Sequence, residues 1–194
     1  MSPRILFLDT ETGGLDPNLH DLLSIGLVVW EKGKLLAEKE IKVQGRPERC
    51  TEQALRVNKI QLEEHNRQAL PPKAAVREVI AFLEENFDYK PVIVGGHNVG
   101  FDLAFLRVLF AKGGLNLEDY LSHRVIDTSS ILQYLGLLQG YDREQLQRAA
   151  SSDEAFRHYR IPLSKRLRHT ALGDARATAQ LFSHLIDRGV PALS

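Results

Sequence analysis

The sequence predicts an α/β fold: one mixed five-stranded sheet flanked by helices, in a single domain over residues 1–194. Three observations lead there. Short apolar runs at 4–9, 91–96 and 124–128 read as buried strands. The stretch 21–43 reads as a hairpin, two apolar strands around a turn at "EKGK". Amphipathic helical stripes separate the later strands, the alternation of an α/β chain.

The elements follow in order. "RILFLD" (4–9) is apolar throughout, as central strands are. After the hairpin, "TEQALRV" (51–57) reads as a short helix, with Thr51 as N-cap and Glu52 in its first turn. "PPKAAVREVIAFLEENF" (71–87) places Val76, Ile80, Leu83 and Phe87 on one helical face behind an opening proline. "PVIVGG" (91–96) is the fourth strand. "FDLAFLRVLFAKGG" (101–114) is a mostly apolar, buried helix closed by two glycines. "RVIDT" (124–128) is the fifth strand, and helical segments fill 128–160. A last helix near 171–188 carries Leu172, Ala175, Ala179, Phe182 and Ile186 on one stripe. Strands 1 to 3 should be antiparallel neighbours, with strands 4 and 5 joined beside strand 1 by right-handed crossovers.

Composition narrows the function. Lys plus Arg and Asp plus Glu both number 25, so no global field attracts polyanions, and nucleic-acid binding would need a local patch. The lone Cys50 excludes an internal disulfide framework and a multi-cysteine zinc site. "MSPRILFLDT" turns acidic before a secretory segment can form, and "LLSIGLVVW" is too short to span a bilayer. A cytoplasmic protein without a membrane partner is expected.

Four acids stand where this topology gathers sites, at strand ends and helix starts. Asp9 and Glu11 leave the first strand two residues apart, so they face the same way. Two adjacent carboxylates repel unless a proton or cation joins them. Asp102 falls in the first turn after "PVIVGG", and Asp174 opens the last helix five residues after His169. Each acid alone reads as a cap or a solvated strand exit. Together they form an all-oxygen donor set suited to Mg2+ or Mn2+. Two such ions roughly 4 Å apart serve in-line phosphoryl displacement. His169, with an ordinary pKa near 6.5, suits proton abstraction from water.

"DTETGGLDP", "HNVGFD" and "HTALGDA" resemble, in order and spacing, the three motifs of the DEDDh or DnaQ-like 3′–5′ exonucleases, a family that includes polymerase proofreading subunits, ribonuclease T and oligoribonuclease. The similarity extends from residue 5 to about 187, and "ALRVNKI" (54–60) resembles a family element between the first two motifs. The resemblance implies the ribonuclease-H-like fold, with two Mg2+ or Mn2+ ions held by Asp9, Glu11, Asp102 and Asp174 and His169 as general base. A histidine five before the last acid, rather than a tyrosine four before it, marks the histidine branch. The implied reaction releases 5′-mononucleotides from the 3′ end of single-stranded nucleic acid, DNA being favoured over short RNA. Thr12, Gly14 and Leu15 would lie beside the terminal nucleotide, with backbone amides near the sugar and Leu15 wedged on bases. Val57 and Asn58 would line the same pocket, Phe101 would stack on a base, and Asn98 would either contact substrate or hold a turn. Gly13 departs from the threonine of many relatives, which bears on the first loop's tightness and sugar selectivity. A homodimer or a polymerase partner is implied by one relative or another.

The run 157–169 holds Arg157, Arg160, Lys165, Arg166 and Arg168, the clearest basic cluster, and its place beside His169 favours phosphate contact over a merely solvated helix face. "GGHNVG" matches neither a dinucleotide-binding nor a P-loop pattern. Glu11 and Gly13 break the D-x-D-x-T/V pattern of haloacid-dehalogenase-type phosphatases. The rival reading is a non-catalytic nucleic-acid-binding subunit of a polymerase, disfavoured because all five catalytic positions hold competent residues.

Overall fold

A computed structural model describes residues 3–164 and 167–187. Five strands form one sheet in the order β3-β2-β1-β4-β5. They are β1 (Ile5–Thr12), β2 (Leu22–Glu31), β3 (Lys34–Lys42), β4 (Val92–Gly96) and β5 (Leu121–Asp127). β1 pairs antiparallel with β2 and parallel with β4; β2 and β3 form the hairpin, and β4 and β5 run parallel. The mixed sheet is as expected. Lys32 and Gly33 take positive φ at the hairpin turn, the geometry that "EKGK" suggested.

Eight α-helices are described: α1 (Glu52–Val57), α2 (Leu62–Gln68), α3 (Pro72–Asn86), α4 (Val99–Lys112), α5 (Thr128–Leu138), α6 (Arg143–Ala149), α7 (Ser152–His158) and α8 (Ala171–Asp187). Thr51 caps α1, its side chain accepting from the Ala54 amide. Alternation along β1 divides the core. Leu6 and Leu8 pack with Val76, Leu83 and Leu106 from α3 and α4, whereas Ile5 and Phe7 pack with Ala175, Ala179 and Phe182 of α8. A third cluster joins α5, α7 and α8 through Leu132, Phe156 and Leu181.

Several boundaries differ from expectation. β1 runs to Thr12, so Asp9 and Glu11 lie within the strand, because antiparallel pairing with β2 continues past the apolar run. α2 was not predicted, since its short sequence "LEEHNRQ" buries only His65. Ile186 is exposed rather than on the buried stripe of α8; Leu181 and Leu185 face the third cluster instead. No helix among the described residues is long and apolar enough to cross a membrane.

Candidate active site

The pleat of β1 turns Asp9 and Glu11 to the face that α8 covers. Gly26 of β2 pairs with Asp9 across the ladder. A Cβ on Gly26 would lie 2.2 Å from the Ala171 carbonyl oxygen, so only glycine lets the first turn of α8 rest on the strand. That close approach delivers Asp174. One carboxylate oxygen each from Asp9, Glu11 and Asp174 then lie within 4.8 Å of one another.

The two oxygens of Asp174 have different surroundings. Oδ2 accepts from the Arg168 guanidinium and, at 3.2 Å, from the His169 backbone N–H. Oδ1 is buried and has no hydrogen-bond partner among the described residues. An unmet buried acceptor costs about 1–3 kcal/mol, a cost a bound cation removes. A hard divalent ion therefore fits this donor set: three clustered carboxylates, one of them with an oxygen already oriented and unpaired.

Arg168 itself corrects the expected basic cluster. Its Nε donates to Asp153 at 2.8 Å, its Nη2 to Ser152 Oγ at 2.9 Å, and its guanidinium lies over the Phe156 ring at 5.4 Å. It is turned inward because α7 presents these partners beside Asp174. Arg157 pairs with Glu154. Lys165 and Arg166 lie outside the described residues. His169 adopts φ 63°, is half-buried, and lines a cavity of about 390 Å3 together with Glu11, Asn58 and Lys59.

Asp102 arrives from the other side. Asp127, at the end of β5, accepts from the Asn98 and Val99 amides at 3.0 Å and from Ser129 N–H at 2.9 Å. One carboxylate thus caps α4 and α5 together. This sets Asp102, 4% exposed, in the first turn of α4, where its Oδ1 accepts from Thr10 Oγ1 at 2.7 Å. Thr10 points opposite to Asp9, so Asp102 flanks the three-oxygen group without joining it. Its charge nonetheless reaches Asp9.

The acids raise one another. Burial, then the charges of Asp102, Asp174 and Glu11, push Asp9 well above the usual carboxylate range, with Arg168 opposing. Burial and the Asp174 charge lift Glu11 to about 8. Burial lifts Asp102 to about 7 against the Thr10 hydrogen bond. Burial raises Asp174, with Arg168 and His169 opposing. Four acids held this way favour cation binding with proton release.

A cavity of about 430 Å3 adjoins Glu11, lined by Leu15, Val57, Asn58 and Phe101, with Thr12 and Gly14. Leu15 is 85% exposed on its loop, and Val57 is also exposed. Phe101 lies 5.1 Å from Phe105 and leans on the main core. Gly14 is tight against the His20 ring; a Cβ there would sit 2.4 Å away. At Gly13 a Cβ would sit 2.5 Å from the Arg49 carbonyl oxygen, so a threonine there would need the backbone to shift. The Gly13 amide donates to Asp21 O at 2.8 Å and so is not available to a sugar. Asn58 is buried and donates to Thr12 O at 3.1 Å, holding the loop from below. Asn98 adopts φ 59° and shapes the turn into α4, its backbone bonded to Asp127.

Sequence reasoning missed Gly26, Asp127 and the inward role of Arg168. The glycine inside the apolar run "LLSIGLVVW" was a legible sign of close backbone approach. Nothing local marks Arg168 as different from its basic neighbours.

A ribonuclease-H-like α/β sheet carrying clustered acids at the end of its first strand and the start of its last helix defines a nuclease. The chain belongs to the exonuclease family of the ribonuclease T type, whose family model matches residues 6–182. It is 30% identical over 183 residues to the PolC-type DNA polymerase III of Thermotoga maritima, covering 93% of this chain and 12% of that protein. The chain thus spans about one eighth of that polymerase. It is 26% identical over 155 residues to the oligoribonuclease of Photobacterium profundum, covering 73% of this chain and 82% of the relative. The fold matches Escherichia coli exonuclease I in complex with a dT13 oligonucleotide, with TM-score 0.76, 15% identity, and coverage of 96% of this chain and 41% of the other. It also matches the nuclease domain of 3′hExo, a DEDDh family member bound to rAMP, with TM-score 0.76, 14% identity, and coverage of 97% and 94%.

Proposed function

We propose that this chain acts as one 3′–5′ exonuclease domain on single-stranded nucleic acid, DNA by preference, releasing 5′-mononucleotides. The observation that carries the reading is the three-carboxylate group with its unpaired Asp174 oxygen, adjoining a largely apolar cavity that ends at Phe101 and Leu15. Asp9, Glu11, Asp102 and Asp174 would hold two Mg2+ or Mn2+ ions. Bound there, the ions supply charge stabilisation at the scissile phosphate.

The chain's own residues do the rest. Leu15 and Phe101 hold the terminal base by apolar contact and stacking, each stacked base being worth about 1–3 kcal/mol. Asn58 keeps the first loop in place beneath it. His169 accepts the proton of the attacking water at a ring nitrogen. The water oxygen bonds to phosphorus, the bond to the 3′ oxygen breaks, and that oxygen takes a proton from solvent, so the shortened strand leaves with a 3′-hydroxyl and the removed unit as a 5′-monophosphate.

DNA is favoured because the loop's polar groups are already engaged. The Thr12 hydroxyl donates to Gly14 O at 2.7 Å and the Asn58 amide to Thr12 O, and both residues are buried, so these donors already have partners within the loop. The polymerase relative and the dT13 complex of exonuclease I support the same preference and a polymerase-linked setting. The test is side-by-side digestion of 5′-labelled single-stranded DNA, RNA and a duplex with a mismatched 3′ end. A ladder on DNA that chelation abolishes and Mn2+ restores is expected. Faster digestion of short RNA would reverse the substrate preference, and metal-independent cleavage would remove the mechanism.

A further inference from the structure

A neutral chain that handles a polyanion needs a local surplus of cations. The described part of the run 157–169 supplies less of it than its composition suggests: Arg157 is paired with Glu154 and Arg168 is turned onto Asp153 and Asp174, which leaves the exposed Arg160. A surplus lies instead on the far side of the first loop. Asp21, 5% exposed, stands just before β2 beneath three cations. Arg46 donates Nε and its backbone N–H to Oδ2 at 3.0 and 3.1 Å, and Nη2 to Oδ1 at 2.9 Å. Arg49 Nε reaches the same Oδ1 at 2.9 Å, and Lys112 Nζ at 3.4 Å.

Arg46 alone is a bidentate partner for one carboxylate. Arg49 and Lys112 therefore bring charge beyond what Asp21 neutralises, and the exposed Glu48 near Arg46 offsets only part of it. Burial acts to raise Asp21, but hydrogen bonds from Arg46 and the Lys112 charge hold it at about 2, so the acid anchors the cations across the neutral range. The side chains of Arg46 and Lys112 remain 54% and 39% exposed.

Arg46, Lys112 and Asp21 line a cavity of about 590 Å3 with His20, Phe105 and Leu109, while Arg49 is outside that lining and donates Nη2 to Asn18 O at 2.5 Å. His20 also lines the nucleotide cavity, so the two cavities flank one loop. Helix α4 joins them, with Phe101 in the first and Phe105, Leu109 and Lys112 in the second. From Phe101 to Lys112 the helix rises roughly 16 Å, a span of a few nucleotides.

We propose that Arg46 and Lys112, with the charge of Arg49 beside them, form a second phosphate-binding site, which takes the backbone of the strand a few nucleotides upstream of its 3′ end. Asp21 preorganises the three side chains, which lowers the ordering cost of binding. The proposal rests on the exonuclease reading and adds a length dependence to it: a long strand gains contacts that a dinucleotide cannot reach.

The test compares Lys112→Gln, Lys112→Arg and the double variant Arg49→Gln/Lys112→Gln with the parent on a single-stranded 20-mer and a dinucleotide, across a salt series with Mn2+. For Lys112→Gln the KM of the 20-mer, relative to the dinucleotide, rises roughly fivefold, and the slope of log KM against log salt falls by about 0.7. The double variant shows a larger change in both, and Lys112→Arg restores the parent values. Equal changes on both substrates, or an unchanged salt slope, would overturn the site. Fluorescence anisotropy of the labelled 20-mer in chelator separates the two readings. If the parent cleaves neither substrate, the exonuclease reading fails, and weaker, less salt-dependent binding by Lys112→Gln still supports the site while unaltered binding sinks it.

Discussion

Asp174 shows how much chemistry a single side chain can carry. Its Oδ2 is fixed by Arg168 and by the His169 amide, which leaves Oδ1 buried without a partner in a carboxylate that clusters with Asp9 and Glu11. Groups that orient a metal ligand are typically worth 10- to 100-fold in affinity. Arg168→Gln is therefore expected to weaken Mn2+ binding by roughly tenfold or more, read by Mn2+ electron paramagnetic resonance; unchanged affinity would show that Asp174 is held without it. His169→Ala should behave differently. Its side chain has no place in the three-oxygen group, so Mn2+ binding should persist while turnover falls by about 10²–10⁴-fold. Loss of metal in that variant would reassign His169 as a ligand. Asp102→Asn should lose turnover by about 100-fold or more while its melting curve stays cooperative, since the Thr10 contact tolerates an amide.

At the scale of elements, the site depends on how α8 and α4 meet the sheet. α8 can lie on β2 only because residue 26 has no side chain. Gly26→Ala should force the Ala171 carbonyl away, costing about 1–3 kcal/mol and several degrees of melting temperature. Mn2+ affinity should drop with it, because Asp174 moves with its helix. A variant with parental stability and metal binding would mean that the first turn of α8 adjusts freely. α4 is placed by the Asp127 carboxylate, which a reader of "RVIDT" sees only as a strand end. The motif acids were legible because each stands in a recognisable local setting. Gly26 and Asp127 were not used, and Arg168 was read as one more surface cation, because their roles appear only when segments distant in the chain are in contact.

For the molecule as a whole, gathering four acids has a cost in stability. Glu11 and Asp102 titrate near 8 and 7 in the folded protein, above the ordinary carboxylate values near 4 in the unfolded chain. The folded state therefore binds more protons between about pH 4 and 8, and stability is lost as pH rises through that window. Thermal unfolding in chelator should show a melting temperature that falls from pH 5.5 to pH 8, and Mn2+ should restore more stability at pH 8 than at pH 5.5. A chelated protein equally stable at both pH values would contradict the raised acids. The absence of net charge, by contrast, says nothing of where cations gather; Arg46, Arg49 and Lys112, separated in the chain, meet only around Asp21.

Residue order alone was enough for the sheet, the hairpin, the long helices and the three acidic motifs. Hydrophobic periodicity and turn chemistry are local properties, and the motifs repeat a pattern spaced along the chain. Which carboxylate oxygen stays unpaired, which arginine turns inward and where positive charge accumulates depended on contacts between remote segments. Those are set by packing at ångström range, as at Gly26 against Ala171, and no local pattern encodes them.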